Sequence, residues 1–304
     1  LELPAALTAP SQPAVALLLI PGSLNSDLDG NFAPMFPGQP AMNPHVYKDL
    51  AEQLAERGIA VLRFSKSGPG TGALVRDREL MRLRYREFPQ RVRVAEAFLV
   101  ELRRRLPRLP LVLAGHSEGA VAAMLLAQRC PEASRLILLS GPAKPLLQLM
   151  IWQRFEQDRV SGAATTASEQ ACQQALGWAA DYAAERPLPM PLPENPYAAM
   201  IPFFLNPDHA PYLRSLEQVD PAAELARVRQ SVLIVQGGRD WSVIAENAAL
   251  LERAHPGAAL ARFPELQHFY KRAPAGLSPA ESMALDQASD PAVAAAISAW
   301  CGGD

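Results

Sequence analysis

One five-residue stretch carries the residue types of a nucleophilic site. Gly115-His-Ser-Glu-Gly119 follows the apolar run Leu111–Ala114 and precedes the small-residue stretch Ala120–Gln128. The pattern G-x-S-x-G between a strand and a helix is typical of a sharp turn that exposes a serine hydroxyl, and its glycines let the two elements approach each other. We therefore predict that Ser117 is a nucleophile. The alternative is an incidental serine in a glycine-rich turn, which the flanking strand and helix disfavour.

A serine hydroxyl needs a neighbouring base, and the order of residues along the chain selects one. In strand–turn–helix sites of this kind the acid follows the serine and the histidine follows the acid. His268 lies in the loop Phe263–Tyr270 after the last apolar run, and Asp240 follows the run Val232–Val235. We predict that His268 is the general base and that Asp240 orients it by accepting its Nδ1–H.

The remaining candidates for these two roles are His45, His116, His209 and His255 for the base and Glu265 for the acid. His116 is predicted to point into the scaffold, and His45 and His255 adjoin predicted helix ends, where a capping role explains them. His209 lies in the region that we predict to cover the site. Glu265 is too close to His268 along the chain to approach it comfortably.

Acyl transfer passes through an intermediate with a negative oxygen, and two backbone amides are predicted to bind it. Glu118 N–H is one of them, because it stands at the start of the helix that follows Ser117. The second should come from the end of the first central strand, at Pro21–Leu24. Ser23 N–H is our first choice there, and Leu24 N–H is the alternative.

The stretch Asn25–Gly30 is similar to the beginning of a calcium-binding loop. The acid expected at the twelfth position of such a loop is missing, because Phe36 stands there. Asp27 and Asp29 are therefore predicted to form a turn that braces the oxyanion loop. We expect neither a metal ion nor another cofactor.

Apolar runs alternate with helical patterns over most of the chain, which indicates an α/β class with a mostly parallel central sheet flanked by helices. The predicted strands are Ala14–Ile20, Ile59–Phe64, Leu111–Ala114, Arg135–Leu139, Ser231–Gln236 and Leu260–Phe263. The predicted helices are Val46–Arg57, Arg84–Arg105, Ala120–Gln128, Glu246–Ala254 and a C-terminal helix that begins at Pro291 and is capped by Ser289 or Asp290.

The alternation stops at residues 144–226, a segment rich in Ala, Gln, Met and Pro. We interpret 144–226 as a mainly helical cap inserted into a core made of residues 1–143 and 227–304. The cap is expected to form the walls of the substrate site, and its candidate substrate-binding residues are Met200, Phe203, Phe204 and Tyr212. Packing of the cap on the core explains each of these residues equally well. An apolar cap favours small or medium uncharged substrates.

The amino-acid composition and net charge limit the classes of binding partner that we expect. Of the 304 residues, 49% are hydrophobic and 20% are charged, which is typical of a globular protein and not of a disordered one. The net charge of −2 gives no reason to expect nucleic acid or an anionic membrane as a partner. No apolar run has the length of a transmembrane helix. We expect a cytoplasmic protein; because the chain begins at Leu1 without a Met, a periplasmic or secreted one is the alternative.

The three cysteines, Cys130, Cys172 and Cys301, are too few and too widely spaced for a disulfide framework or a Cys-x-x-Cys metal site. We expect buried or incidental thiols. A single Cys130–Cys172 bridge stays open at this point.

Several of these stretches together resemble a known family. They are IPGSLNSDLDGNF, GIAVLRFSKSGPGTG, LAGHSEGAVAAMLLA, VDPAAELARVRQSVLIVQGGRDWSV and LQHFY. The chain resembles the bacterial EstD-like esterases, in the serine-hydrolase branch that is often named serine aminopeptidase-like. The resemblance covers most of the core and almost none of the cap. It implies the α/β-hydrolase fold and cofactor-free hydrolysis of carboxylic esters, with Ser117, Asp240 and His268 at the catalytic positions.

Two stretches depart from the pattern of that family. The loop after the second predicted strand reads Ser65-Lys-Ser-Gly-Pro69, where a sequence of the Asp-Lys-Arg-Gly type is usual. The oxyanion loop has Leu24-Asn25, where Gly-Pro or a similar pair is common. The first departure alters hydrogen bonding in the scaffold, and the second is expected to narrow or reshape the acyl site.

The residues and the resemblance together predict a serine hydrolase that cleaves small or medium uncharged carboxylic esters through an acyl-enzyme on Ser117. A thioesterase, a lactonase or a small-peptide aminopeptidase would use the same three residues. An aminopeptidase would need an acid in the cap for the ammonium of its substrate, and the candidates are Glu156, Glu169, Glu185 and Glu194. A non-catalytic ligand-binding protein is disfavoured, because it has no need for serine, acid and histidine in this order. A dehalogenase is disfavoured too, since its nucleophile is an Asp.

Overall fold

The computed structural model describes residues 2–23, 25–33, 41–67, 71–74 and 86–302. A central sheet of seven strands organises the molecule. The strands are β1 Ala5–Thr8, β2 Val15–Ile20, β3 Ile59–Phe64, β4 Leu111–His116, β5 Ala133–Leu139, β6 Ser231–Gly237 and β7 Ala259–Phe263. Their order across the sheet is β1-β3-β2-β4-β5-β6-β7. The edge strand β1 runs antiparallel to β3, and all other neighbouring pairs are parallel, which confirms the mostly parallel sheet.

The three central strands β2, β3 and β4 are buried over their whole length. A parallel sheet covered on both faces has strands that are continuous apolar runs, so these three could be recognised in the sequence. Strand β1 is missing from the predicted set. Its four residues, Ala-Ala-Leu-Thr, are only partly buried and include two alanines, which have a low preference for strands.

Helices cover both faces of the sheet. They are α1 Val46–Ala55, α2 Pro89–Arg105, α3 Glu118–Arg129, α4 Leu146–Val160, α5 Thr166–Ala183, α6 Ile201–Leu205, α7 Ala210–Glu217, α8 Pro221–Leu225, α9 Glu246–Ala254, α10 Pro279–Met283 and α11 Pro291–Gly302. Helix α2 begins at Pro89, a residue suited to the first helical position, while the predicted start at Arg84 lies outside the described residues. Helix α11 begins at Pro291, as predicted, and Asp290 accepts the N–H of Ala292 at 2.9 Å.

Alternate residues of each strand belong to two separate apolar cores. Leu18 of β2 packs in the core on one face of the sheet together with Val92 of α2. Its neighbour Leu17 packs in the core on the opposite face together with Leu50 of α1. Because side chains alternate between the faces of a strand, a shift of register by one residue would exchange the two cores.

Between β5 and β6 the chain forms the five helices α4 to α8 instead of a single crossover helix. Four of them, α4 to α7, share an apolar core of their own that includes Ile151, Tyr182 and Phe204. The Tyr182 hydroxyl donates to the Phe204 carbonyl at 3.0 Å inside that core. We keep the name cap for residues 144–226, and its boundaries as a separate unit stay a prediction.

The parallel strands all end at one edge of the sheet, and the loops that carry the predicted site residues meet there. Gly22 and Ser23 follow β2, and Ser117 follows β4. Asp240 follows β6, and His268 lies in the loop after β7. Ligand sites of open α/β sheets occur at this edge, so the topology brings together segments that are far apart in the sequence.

The cysteines Cys130, Cys172 and Cys301 are free and buried, so the Cys130–Cys172 bridge that the sequence left open is not formed. Burial raises the pKa of the Cys130 and Cys301 thiols to about 11, which keeps both protonated at neutral pH. Over the described part of the chain, no helix is both long enough and apolar enough to cross a membrane. The cytoplasmic location stays a prediction.

Candidate active site

Ser117 occupies the turn between β4 and α3 in a strained backbone conformation. Its φ of 53° and ψ of −123° lie in a region that residues with a side chain rarely adopt. The Ser117 N–H donates to the Leu139 carbonyl of β5 at 2.8 Å, so a neighbouring strand holds the turn in place. Strain of this kind persists only where the surroundings support it, and it is frequent at functional sites.

The two glycines of the motif are required by close backbone approaches. A Cβ atom on Gly115 would overlap the carbonyl group of Gly119, one turn further along. A Cβ atom on Gly119 would overlap the carbonyl oxygens of Ile20 and Pro21 at the end of β2. Helix α3 therefore packs directly on the end of β2, and this contact explains why glycine stands two residues before and two residues after Ser117.

Asp240 and His268 form a buried pair. The Nδ1 atom of His268 lies 3.0 and 2.9 Å from the two carboxylate oxygens of Asp240, and both side chains are almost completely buried. Asp240 Oδ1 also accepts the N–H groups of Ser242 at 2.9 Å and Val243 at 2.8 Å. These amides orient the carboxylate, which in turn holds the proton of His268 on Nδ1. The Nε2 atom is then left without a proton and can act as a base.

The loop that carries His268 is tied to the rest of the edge by further hydrogen bonds. The Ser289 hydroxyl, which the sequence offered as a helix cap, donates instead to the Phe269 carbonyl at 2.9 Å. The imidazole of His116 contacts the carbonyl of His268 through Nε2 at 3.0 Å. This contact therefore anchors the backbone of His268 to His116, the residue that immediately precedes the predicted nucleophile Ser117.

His116 points into the scaffold, as predicted, and one chain of hydrogen bonds through it links the loop of His268, helix α1 and the loop after β2. Because the His268 carbonyl can only accept, His116 Nε2 carries the proton and Nδ1 accepts from the Tyr47 hydroxyl at 3.2 Å. The Tyr47 oxygen accepts the N–H of Gly22 at 2.7 Å. Burial lowers the pKa of His116 to about 3, so this imidazole stays neutral at neutral pH. Its tautomer is therefore fixed by its partners.

The side chain of Glu118 lies at the centre of a buried polar cluster. Its carboxylate accepts the Tyr212 hydroxyl at 2.7 Å and the Ser23 hydroxyl at 3.2 Å. It also forms ion pairs with Lys66 Nζ at 3.5 Å and with Arg91 Nε at 3.4 Å. We call these five residues the Glu118 cluster. Burial raises the pKa of Tyr212 well above its usual value, so its hydroxyl stays protonated and donates.

The cluster also fixes the loop after β2, the predicted oxyanion loop. Lys66 Nζ donates to the Gly22 carbonyl at 2.8 Å, and the guanidinium of Arg91 donates to the Pro21 carbonyl at 3.3 Å. The two cations therefore bridge the Glu118 carboxylate and the backbone of this loop. Only the position of Glu118 at the positive end of α3 was apparent in the sequence. Lys66 stood in a stretch used for the family resemblance, whereas nothing in the sequence pointed to Arg91 or Tyr47.

Ser23, Ser117 and Glu118 line the same cavity, so the structure brings both predicted oxyanion residues to the predicted nucleophile. Glu118 is the first residue of α3, and its amide has no acceptor within the helix. The alternative donor, Leu24, lies outside the described residues.

The cavity has a volume of about 310 Å³ and is open on one side. Its walls come from the loop after β5, one face of α4, the end of the cap and the loop after β6. Its apolar residues are Val121, Leu146, Leu149, Met150, Leu216, Val219, Trp241 and Val243. Its polar and charged residues other than Ser23, Ser117 and Glu118 are Lys144, Gln153, Arg154, Gln157 and Ser242.

The four cap residues predicted to bind substrate lie elsewhere. Phe204 is buried in the core of the cap and Met200 packs against that core, while Phe203 is 46% exposed. Tyr212 donates to Glu118 and does not line the cavity. Several large side chains of α6 and α7 pack together in the core of the cap, and Leu216 of α7 reaches the cavity. Helix α4 contributes more of the wall, through residues whose role its sequence did not reveal, and the substrate contacts of the four residues stay a prediction.

Asp27 and Asp29, which were considered for calcium binding, form local hydrogen bonds and an ion pair. Asp27 Oδ1 accepts the N–H groups of Asp29 and Asn31, both at 2.9 Å, so it forms the predicted turn. Asp29 pairs with Arg63 at 2.9 Å. In the described ranges, no group of three or more His, Cys, Asp or Glu residues is arranged to hold a metal ion. The described lining of the cavity includes none of the four acids considered for an aminopeptidase, which are Glu156, Glu169, Glu185 and Glu194.

Comparison with known sequences finds similarity to hydrolases. Residues 42–169 match the family described as serine aminopeptidase, S33. The esterase EstD of Thermotoga maritima is 24% identical over 249 residues, which are 79% of this chain and 50% of EstD. The match thus spans about half the length of that esterase.

Comparison with solved structures finds the same fold in several proteins of low sequence identity. Est1E from Butyrivibrio proteoclasticus, solved with ferulic acid bound, superposes with a TM-score of 0.55 at 16% identity over 98% of this chain and 94% of that one. Proline iminopeptidase from Mycobacterium smegmatis gives 0.54 at 16% identity over 97% and 93%. TT1662 from Thermus thermophilus gives 0.51 at 18% identity over 98% and 92%. At these identities the likeness establishes the fold alone.

Proposed function

We propose that this chain, which has the α/β-hydrolase fold and resembles serine hydrolases, cleaves carboxylic esters through an acyl-enzyme on Ser117. One observation carries the proposal. The buried Asp240–His268 pair is anchored, through the hydrogen bond between His116 and the His268 carbonyl, to the residue that immediately precedes the serine in the strained turn. An orienting acid, a base and a serine at one edge of the sheet are the parts that acyl transfer requires.

The first half of the reaction forms the acyl-enzyme. His268 Nε2 accepts the proton of Ser117 Oγ as the oxygen attacks the ester carbonyl, and the carbonyl oxygen becomes an oxyanion. Asp240 stabilises the imidazolium that forms. When the intermediate collapses, its C–O bond to the alcohol breaks, and His268 gives the proton to the leaving alcohol. Water then attacks the acyl-enzyme by the same route and releases the acid and free Ser117.

The amides of Ser23 and Glu118 are the proposed donors to the oxyanion, with Leu24 as the alternative to Ser23. Removing one such donor in other enzymes slows the reaction by ~10²–10³-fold, so their placement accounts for a large share of the rate. The Glu118 cluster and the Tyr47–His116 hydrogen bonds hold the two segments that carry these donors. The site therefore combines fixed amides with a buried base pair.

The cavity supports a small or medium substrate, since it measures about 310 Å³ and its lining is mainly apolar. Such a substrate is a small molecule, and we propose no nucleic acid, membrane or cofactor as a partner. The match to a family described as serine aminopeptidase raises a peptidase as the second candidate. A substrate ammonium would need a free acid in the cavity. Glu118 is the acid in its described lining, and Lys66 and Arg91 already balance its charge.

A series of p-nitrophenyl esters of increasing acyl length tests this proposal, with the wild type compared with Ser117→Ala. We expect a maximum at short or medium acyl chains in the wild type and loss of hydrolysis in the variant. A parallel panel of aminoacyl-p-nitroanilides, thioesters and lactones covers the alternatives. Undiminished ester hydrolysis by Ser117→Ala would show that Ser117 is not the nucleophile. Turnover of the aminoacyl substrates in preference to esters would favour the peptidase.

A further inference from the structure

The charged residues in the described lining of the cavity beside Ser117 are Glu118, Lys144 and Arg154. Two of them are compensated. The carboxylate of Glu118 lies in its own cluster with two cations, and Arg154 pairs with Asp158 at 2.7 Å. Arg154 is also half exposed at the outer part of α4. Its charge is therefore shared with a carboxylate and with solvent.

Lys144 differs from both. It is partly buried in the wall of the cavity, and no carboxylate oxygen among the described residues lies within 4.0 Å of its Nζ. The Nζ atom lies 5.0 Å from the centre of the Trp152 ring. A contact of this type holds an ammonium in place without neutralising its charge. The wall thus contains a lysine whose charge no described carboxylate neutralises.

Lys144 lies close to the reacting serine along the backbone. Ser117 N–H bonds to the carbonyl of Leu139, the last residue of β5, and Lys144 is the fifth residue after Leu139. Both residues also line the same cavity of about 310 Å³, as does Pro142 between Leu139 and Lys144. A substrate that extends from Ser117 to Lys144 within a cavity of this volume carries a short acyl chain.

The neighbouring helix end does not offer a competing anion site. The amide groups of Leu147 and Gln148 at the start of α4 are directed at the Glu217 carboxylate, at 2.6 and 3.3 Å. These N–H groups, which would otherwise attract an anion, already have a hydrogen-bond acceptor within the protein. The ammonium of Lys144 remains as the group that distinguishes a charged substrate from a neutral one.

We infer that Lys144 binds a carboxylate at the far end of the acyl chain, so that the preferred substrates are monoesters of short dicarboxylic acids. The inference rests on the proposed ester hydrolysis. It replaces the uncharged esters that the sequence favours with esters that carry a free carboxylate. Apolar side chains such as Val121 and Leu149 contact the methylene groups, and the ester carbonyl lies at Ser117. The ammonium forms a charge-assisted hydrogen bond with the distal carboxylate.

The test compares monomethyl succinate, glutarate and adipate with methyl butanoate, pentanoate and hexanoate. Each neutral ester has the same number of acyl carbons as its partner, with a methyl group in place of the carboxylate. Hydrolysis is followed by release of methanol for the wild type, Lys144→Met, Lys144→Arg and Lys48→Met. The Met variant keeps most of the volume of the side chain and removes its charge. Lys48, which is exposed on α1, controls for the change in net charge.

We expect kcat/KM of the wild type to favour the anionic ester of at least one chain length. Lys144→Met should lower that preference by roughly tenfold or more, the size of a hydrogen bond to a charged group, with the change mainly in KM. Lys144→Arg should keep part of the preference, and Lys48→Met all of it. Unchanged ratios in Lys144→Met, with the neutral esters still hydrolysed, would overturn the inference and leave the proposed function intact.

A binding measurement separates the inference from the reaction. Calorimetric titration of Ser117→Ala with monomethyl glutarate and monomethyl adipate detects the anion site without turnover. We expect binding that is lost when Lys144→Met is added to this variant. If no ester is hydrolysed and neither monoester binds, both the proposed function and the inference fail. If the monoesters bind equally well with and without Lys144, the inference alone fails.

Discussion

The Glu118→Gln substitution isolates the charge at the centre of the Glu118 cluster. The side chains of Glu118, Lys66 and Arg91 are only 6%, 10% and 17% exposed. Glutamine keeps an oxygen that can accept from Tyr212, but it leaves two largely buried cations without a carboxylate. Removing one partner of a buried ion pair costs about 3–5 kcal/mol. Because both cations keep their backbone carbonyl partners, we expect the lower end, about 3 kcal/mol.

Thermal and urea unfolding, combined with ester kinetics, measure this effect. The expected loss in the free energy of unfolding corresponds to a Tm lower by roughly 5 °C or more. The oxyanion loop loses part of its support, so kcat should fall by roughly tenfold or more, as small displacements of positioned groups do. Glu101→Gln is the matched control, since Glu101 also pairs with two arginines, Arg104 and Arg105, on an exposed face of α2. Equal, small effects of the two substitutions on stability and rate would refute the reasoning.

Two further predictions concern groups that support the site. Burial raises the pKa of Glu217 from its ordinary 4.5 to about 7, so the folded protein keeps a proton that the unfolded chain has lost between these values. The contribution of this proton to the free energy of unfolding is complete below about pH 4.5 and is lost as the pH rises through about 7. It amounts to up to ~3 kcal/mol, and Glu217→Gln should remove this pH dependence. Urea unfolding at several pH values measures it. Tyr47→Phe leaves the buried Gly22 N–H without an acceptor, at a cost of about 1–3 kcal/mol. It should lower both Tm and kcat. The control is Tyr197→Phe in the cap, where the tyrosine hydroxyl donates to Asp158 at 2.8 Å; it should leave kcat unchanged.

The parts of the fold that follow from local patterns could be predicted from the sequence. Strands β2, β3 and β4 are largely apolar runs, and the turn at Ser117 combines a strand, two glycines and a helix within a few residues. The edge strand β1 could not be predicted in the same way, because it is short and its pairing with β3 joins residues such as Ala5 and Phe64 that are far apart in the chain. Its apolar pattern alone is too weak to mark a strand.

The candidate site shows the same division between local and long-range information. Chain order and loop position were enough to select Asp240 and His268, which the structure brings together. The supports of the oxyanion loop, Tyr47 and Arg91, lie on two different helices, and no local pattern identifies them. The residues of α4 that line the cavity could not be identified from the sequence for a related reason. Large apolar residues in a helical segment can face either a cavity or another helix, and only tertiary packing decides between the two.

The formation of an acyl-enzyme on Ser117 is the central claim, and intact-protein mass spectrometry tests it most directly. The wild type and Ser117→Ala would be mixed briefly with p-nitrophenyl acetate, quenched in acid and then digested to locate the modification. We predict a burst of p-nitrophenol in the wild type and one acetyl group on the peptide that contains Ser117, with neither in the variant. An acetyl group on another residue, or a burst of equal size in Ser117→Ala, would contradict the account.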